Sequence, residues 1–70
     1  MTDTLNRRAA ANLRGEIARR NLTQEEFAEK AQISRNTLGN LLAGRTVLDL
    51  DRLELFARLL EIEPARLITD

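Results

Sequence analysis

"LTQEEFAEKAQISRNTLGNLLAGR", residues 22–45, decides how the rest of this 70-residue chain is read. Its first half opens on Thr23 and Glu26, a T-x-x-E capping box, with Leu22 and Phe27 in the two hydrophobic-staple positions. Glu25 and Glu26 fall in the first turn, where the positive end of the helix dipole favours carboxylates. These signals predict a helix over about 24–31 with Phe27, Ala28 and Ala31 on its inner face. The second half begins at Ser34, a capping residue, and stops at Gly44, which tolerates the left-handed conformation that ends helices. A second helix over about 35–43 is expected, with Leu38, Leu41 and Leu42 on one side. Asn36, Asn40 and Ala43 lie opposite, with Gly39 near them and Arg35 at the N-terminal rim. Between Ala31 and Ser34 stand only Gln32 and Ile33. So short a link forces a steep crossing rather than an antiparallel hairpin. Ile33 would plug the angle.

Outward from this corner the helical period persists, with no alternating strand pattern. Leu5, Ala9, Leu13 and Ile17 recur every four residues and predict helix 1 over about 5–20, closed by Asn21 in the left-handed region. Asp49 caps helix 4, about 50–60, whose inward stripe is Leu50, Leu53, Phe56, Ala57 and Leu60. Pro64 suits a first-turn position and opens helix 5, about 64–68, carrying Leu67 and Ile68. The expectation is one all-α domain over 1–70, a compact five-helix bundle. A second apolar stripe on helix 4, Leu55, Leu59 and Ile62, admits two readings. Either helix 5 folds back over it, or it is a candidate dimer surface.

Composition removes several classes of function. With no Cys and no His, disulfides, thiolate metal sites and the usual zinc or general-base chemistry are excluded. The cluster Glu25, Glu26 and Glu29 is accounted for by capping and the dipole. No residue constellation supports an enzyme, and no cofactor, metal or small-molecule ligand is expected. Apolar runs are too short for a membrane span or a secretory segment, so the expected location is the cytosol or nucleoid. Eleven basic and eleven acidic groups cancel overall, but unevenly along the chain. Residues 1–45 hold eight basic against five acidic groups, a balance of +3; residues 46–70 hold three against six, −3. A polyanion responds to the local field of a face rather than to the total charge. Charge therefore permits a nucleic-acid partner without arguing for one.

The outward face of the second helix argues more strongly. Asn is a poor helix-interior residue, so two on one exposed face imply use. Asn36 and Asn40 can each offer an acceptor and a donor, the pairing that adenine N6 and N7 require in the major groove. Arg35 could fork onto guanine O6 and N7 or hold a phosphate. The plain alternatives are that Thr23, Ser34 and Asp49 are simply caps, Gln24 a good helix former, and Arg7, Arg8, Arg19, Arg20 and Arg35 solvated charges.

The run Leu22-Thr23-Gln24-Glu25-Glu26-Phe27-Ala28-Glu29-Lys30-Ala31, then Ile33-Ser34, then Leu38 through Leu41 to Gly44, resembles the lambda-repressor/Cro-type (XRE-like) helix-turn-helix domain. "DLDRLELFARLLEIEPARLI" resembles that family's fourth and fifth helices, so the likeness covers about residues 12–68. In flavour it is nearest to versions from actinobacteria and their phages. The resemblance implies a sequence-specific regulator that binds double-stranded operator DNA, of the phage or prophage Cro/C1 repressor kind. Carried over residue by residue, it implies that Arg35, Asn36 and Asn40 read bases. It likewise implies that Gln24, Ser34, Thr37 and Arg45 contact the phosphate backbone. Arg7 and Arg8 lie ahead of the likeness and could reach a flanking phosphate, a reading that rests on charge alone.

Three residues depart from the family pattern. Gln32 and Glu61 stand where relatives usually have Gly, and Gly39 lies inside the recognition helix. A rival function is a protein-interaction module, an anti-repressor or antitoxin partner on the same fold. With no separate oligomerisation segment before Asp70, the chain would form a homodimer through its C-terminal helices, act as a monomer, or be a module of a longer protein.

Overall fold

A computed structural model describes residues 2–69 of the chain. Four α-helices follow one another: α1 Thr2–Arg19, α2 Gln24–Ala31, α3 Arg35–Leu42 and α4 Leu50–Leu60. A single 3-10 turn, Pro64–Leu67, follows α4. The expected five-helix bundle is therefore corrected to four α-helices and one turn. The physical reason lies in length: over four residues the N–H groups of Arg66 and Ile68 return three positions, to Glu63 and Ala65, and a single four-back bond from Thr69 to Ala65 closes the segment, so no α-helical ladder develops. The first helix also starts earlier than Leu5 and ends at Arg19, while α3 ends at Leu42 with Ala43 as its cap.

Each interior helix starts on the side chain that local chemistry favours. Thr23 Oγ1 accepts from the Glu26 N–H at 3.0 Å, and Glu26 Oε1 accepts from the Thr23 N–H at 2.8 Å. That reciprocal box holds the Glu26 carboxyl below its ordinary pKa, chiefly through the backbone N–H of Thr23. Ser34 Oγ accepts from the Thr37 N–H at 2.9 Å, and Asp49 Oδ1 from the Arg52 N–H at 2.8 Å.

All four helices end the same way. In each, one residue turns left-handed and two backbone N–H groups fold back onto the last turn, the Schellman arrangement. The left-handed residues are Asn21, Gln32, Gly44 and Glu61, with φ of 58°, 60°, 77° and 59°. Gln32 and Glu61 thus hold the conformation that Gly would adopt with less strain. In each case the next residue donates its N–H to a carbonyl five positions back: Leu22 to Ile17, Ile33 to Ala28, Arg45 to Asn40 and Ile62 to Ala57.

Phe27 and Phe56 lie edge to face at the centre, ring centroids 5.3 Å apart at 69°, and both are fully buried. Around them close Leu13, Ile17, Leu38, Leu41, Leu60 and Leu67. The Pro64–Leu67 turn packs against both α1 and α4. Asn12 fastens it there, Nδ2 donating to the carbonyls of Leu67 at 3.0 Å and Thr69 at 2.7 Å. Beside it the buried carboxylate of Glu16 accepts from Arg19 at 2.7 Å, Arg20 at 2.5 Å and Arg66 at 3.4 Å. Hydrogen bonds from Arg19 and Arg20 outweigh the cost of burial and bring the Glu16 pKa down from 4.5 to about 2. Asn6 secures the α3–α4 link, accepting from the Leu48 N–H at 2.8 Å and donating to the Thr46 carbonyl at 3.3 Å.

One apolar stripe finds its place and one apolar assignment changes. Leu55, Leu59 and Ile62 are half-buried and pack on the core, as does Ile68, which reduces the apolar area that stripe offers a partner. Leu50, expected inside, is 80% exposed. It is the first residue of α4, before the row Leu53, Phe56, Ala57 and Leu60 that meets the core. Leu5 and Val47 are also exposed, and with Leu50 they border an open apolar cleft floored by Ala9, Leu48, Leu53 and Ile68.

Candidate nucleic-acid interface

The α2–α3 corner sets the direction of the outer helix. Gln32 reverses the chain at the end of α2, Ile33 packs half-buried on the core, and Ser34 restarts the helix. With Leu38, Leu41 and Leu42 turned inward and buried, the helical period leaves residues 35, 36, 39, 40 and 43 on the outer side. Eight residues at 1.5 Å rise give a rod about 12 Å long, comparable to the width of a B-DNA major groove.

Arg35 and Asn36 are exposed on this rod. A Cβ on Gly39 would sit 3.1 Å from Arg35 Nη1, so the Arg35 side chain lies back along the helix over the gap that Gly39 leaves. Asn40 is only half-exposed, and its Oδ1 accepts from Arg45 Nε at 3.0 Å. The expected pair of equivalent amides is therefore not equivalent: Asn36 stands clear, whereas Asn40 is joined to Arg45.

The expected backbone-contacting residues are spread over α2, α3 and the link that follows it. Gln24 is the first residue of α2 and half-buried. Ser34 accepts from the Thr37 N–H and donates its hydroxyl hydrogen to Thr37 Oγ1 at 2.8 Å, which frees the Thr37 hydroxyl to donate outward. Arg45 is exposed in the link after α3. Arg7 and Arg14 border a cleft with Ala10, Ala11, Ala43 and Gly44, so α1 brings positive charge to the C-terminal end of α3. Arg14 is committed there by a hydrogen bond from Nη1 to the Leu42 carbonyl. That contact suits a cation at the negative end of a helix dipole. Arg19 and Arg20 pair with Glu16 instead.

Sequence reasoning missed the Asn40–Arg45 link and the placement of Arg14. The first had a usable signal, since a residue just after a left-handed Gly44 returns to the helix position five back. The second depends on how α1 crosses α3 and had none.

A sequence model described as helix-turn-helix matches residues 13–67. No curated protein matches the chain in sequence. Among solved structures, the crystal structure of the DNA-binding domain of BldD is similar, with a TM-score of 0.86 at 20% identity. The likeness covers 99% of this chain and 100% of that one, and at this identity it speaks to the fold. With the family match spanning most of its length and the same helical framework throughout, the chain belongs to the XRE-type helix-turn-helix family.

Proposed function

We propose that the protein is a sequence-specific regulator that binds operator DNA, with α3 in the major groove and α2 across the backbone. The observation that carries this reading is the exposed pair Arg35 and Asn36 on the outward side of a helix whose other side is wholly buried. Asn36 has both halves of its amide available for adenine, and Arg35 has a guanidinium fork suited to guanine or a phosphate. Thr37 supplies an outward hydroxyl, and the α2 N-terminus at Gln24 supplies backbone N–H groups, for phosphates that set the register. The solved relative is itself titled a DNA-binding domain, which supports the same use of this fold. Regulation would follow by occupancy: an operator covered by the protein is closed to polymerase, the Cro/repressor mode of phages and prophages. Two copies reading half-sites about one helical turn apart would supply the affinity that one small face lacks.

Selection of bound duplexes from a random pool tests this reading. Enrichment of a defined sequence is expected, as an inverted repeat if two copies bind. A pool that returns unenriched would discard the reading. Net neutrality implies few cationic phosphate contacts, so a shallow salt dependence is expected, about 3–5 ions released per pair of copies.

A second reading is a protein-interaction module, and the open apolar cleft at Leu5, Val47 and Leu50 favours it. Large apolar side chains gathered on one surface mark contact sites. Substituting Leu50 with Ser separates the two: DNA selection should be unchanged for a DNA reader acting alone, whereas binding to a protein partner would be lost.

A further inference from the structure

We infer that Arg45 reads a base and that Asn40 is its positioning residue, rather than Asn40 reading a base beside an Arg45 that only grips phosphate. This rests on the DNA-binding reading above and assigns the chemistry within it. The first observation is the hydrogen bond from Arg45 Nε to Asn40 Oδ1 at 3.0 Å. An arginine side chain has donors and no acceptor, so the oxygen of the Asn40 amide, not its nitrogen, faces Arg45. That oxygen is the atom an adenine-reading asparagine must present to N6. Asn40 is also half-buried, unlike Asn36.

The second observation is the backbone that enforces the pair. The Arg45 N–H donates to the Asn40 carbonyl at 2.9 Å, as the residue after every helix-ending left-handed turn of this protein does to its own partner. In the other three turns that residue is Leu22, Ile33 or Ile62, each packed on the core. At the end of α3 the same slot holds a guanidinium and an amide on the outward face. The turn thus delivers Arg45 to the recognition helix, where an apolar residue would ordinarily seal the helix end.

The third point is stoichiometric. Arginine carries five N–H donors in a fixed fork, and one is used on Asn40. Both terminal nitrogens keep their hydrogens, and these form the edge that pairs with guanine O6 and N7. A guanidinium already oriented loses less freedom on binding, so the contact gains in selectivity.

The test uses the full chain and the sequence it selects from a random duplex pool, with every base substituted at each position. Melting curves confirm that each variant folds. Arg45→Lys keeps the charge and loses the fork; it is expected to lower the preference for guanine at one position by about tenfold. Asn40→Ala should weaken preference at that same position. Asn40→Asp, still an acceptor for Nε, should retain the guanine preference even where the added negative charge lowers affinity for all sequences. An adenine-reading Asn40 predicts the reverse, because Asp has no donor for N7. The inference is overturned if Arg45→Lys leaves every preference intact, or if Asn40→Ala and Asn40→Asp both erase an adenine at a different position. Absence of any enriched sequence for the unaltered protein would defeat the DNA-binding reading itself, a distinct result.

Discussion

The turn that ends α2 and the turn that ends α3 share one backbone design and serve opposite purposes. Both place a left-handed residue, Gln32 or Gly44, after the helix, and both return the following N–H to a carbonyl five positions back. After α2 the returning residue is Ile33, which packs on the core and sets the angle at which α3 leaves. After α3 it is Arg45, which stays in solvent and joins Asn40. One motif therefore makes a structural joint when its slot is apolar and, on the inference above, a recognition element when its slot is polar. The backbone arrives at the same geometry because the hydrogen-bond requirement of a helix end is the same; the side chain decides whether that geometry faces protein or solvent.

The largest test of the joint lies beneath it. Phe27→Ala removes one of two fully buried rings and the edge-to-face contact with Phe56, and should cost about 3–5 kcal/mol, read as a fall in the urea midpoint. Loss of under about 1 kcal/mol would mean that the α2–α4 contact does not anchor the corner. Next, Ile33→Ala should cost about 2 kcal/mol. Arg45→Ala should change stability by less than about 0.5 kcal/mol, since the side chain is exposed. Equal effects at the two positions would erase the distinction between joint and recognition element.

Acid sharpens the comparison from the other side of the molecule. Glu16 has a folded pKa lowered from 4.5 to about 2 by Arg19 and Arg20. Its stabilisation is therefore complete above about pH 4.5 and is lost as pH falls toward 2. Stability should decline over that window by a smaller amount in Glu16→Gln than in the unaltered protein, measured by melting as a function of pH. A parallel decline in both would show that Glu16 is not a source of the acid sensitivity. Effects smaller than those of the core changes concern the left-handed residues themselves. Gln32→Gly should stabilise and Gly44→Ala destabilise, each by about 0.5–1 kcal/mol. Opposite signs are the point: two changes of the same sign would mean that φ does not control these turns.

How legible all this was depends on the range of the interaction. The capping signals at Thr23, Ser34 and Asp49, and the left-handed endings at Asn21 and Gly44, involve residues within one turn of each other, so their spacing in the chain carries the information. Buried Phe27, Phe56, Leu38 and Leu41 follow from period alone. Leu50 did not, because a helical period says which side a residue lies on but not whether a neighbour reaches that end of the helix. Leu67 is buried although its segment is one 3-10 turn, since the contacts that hold it come from Asn12 and from α1 rather than from its own ladder. In the candidate interface, the outward position of Asn36 followed from the same period, while the difference between Asn36 and Asn40 depended on what lay beside each.

By itself the sequence determined an all-helical chain, the side-chain caps that open the interior helices, and a polar outer face on α3 opposite a leucine face. These follow from interactions between residues at most five apart, whose geometry the peptide backbone dictates. Only tertiary structure decided that Glu16 would be buried, with Arg66 joining its helical neighbours Arg19 and Arg20, that Leu5, Val47 and Leu50 would gather around one cleft, and that Arg14 would turn to the end of α3. Those outcomes depend on how whole helices pack, a global optimum of burial and hydrogen bonding that no local stretch specifies.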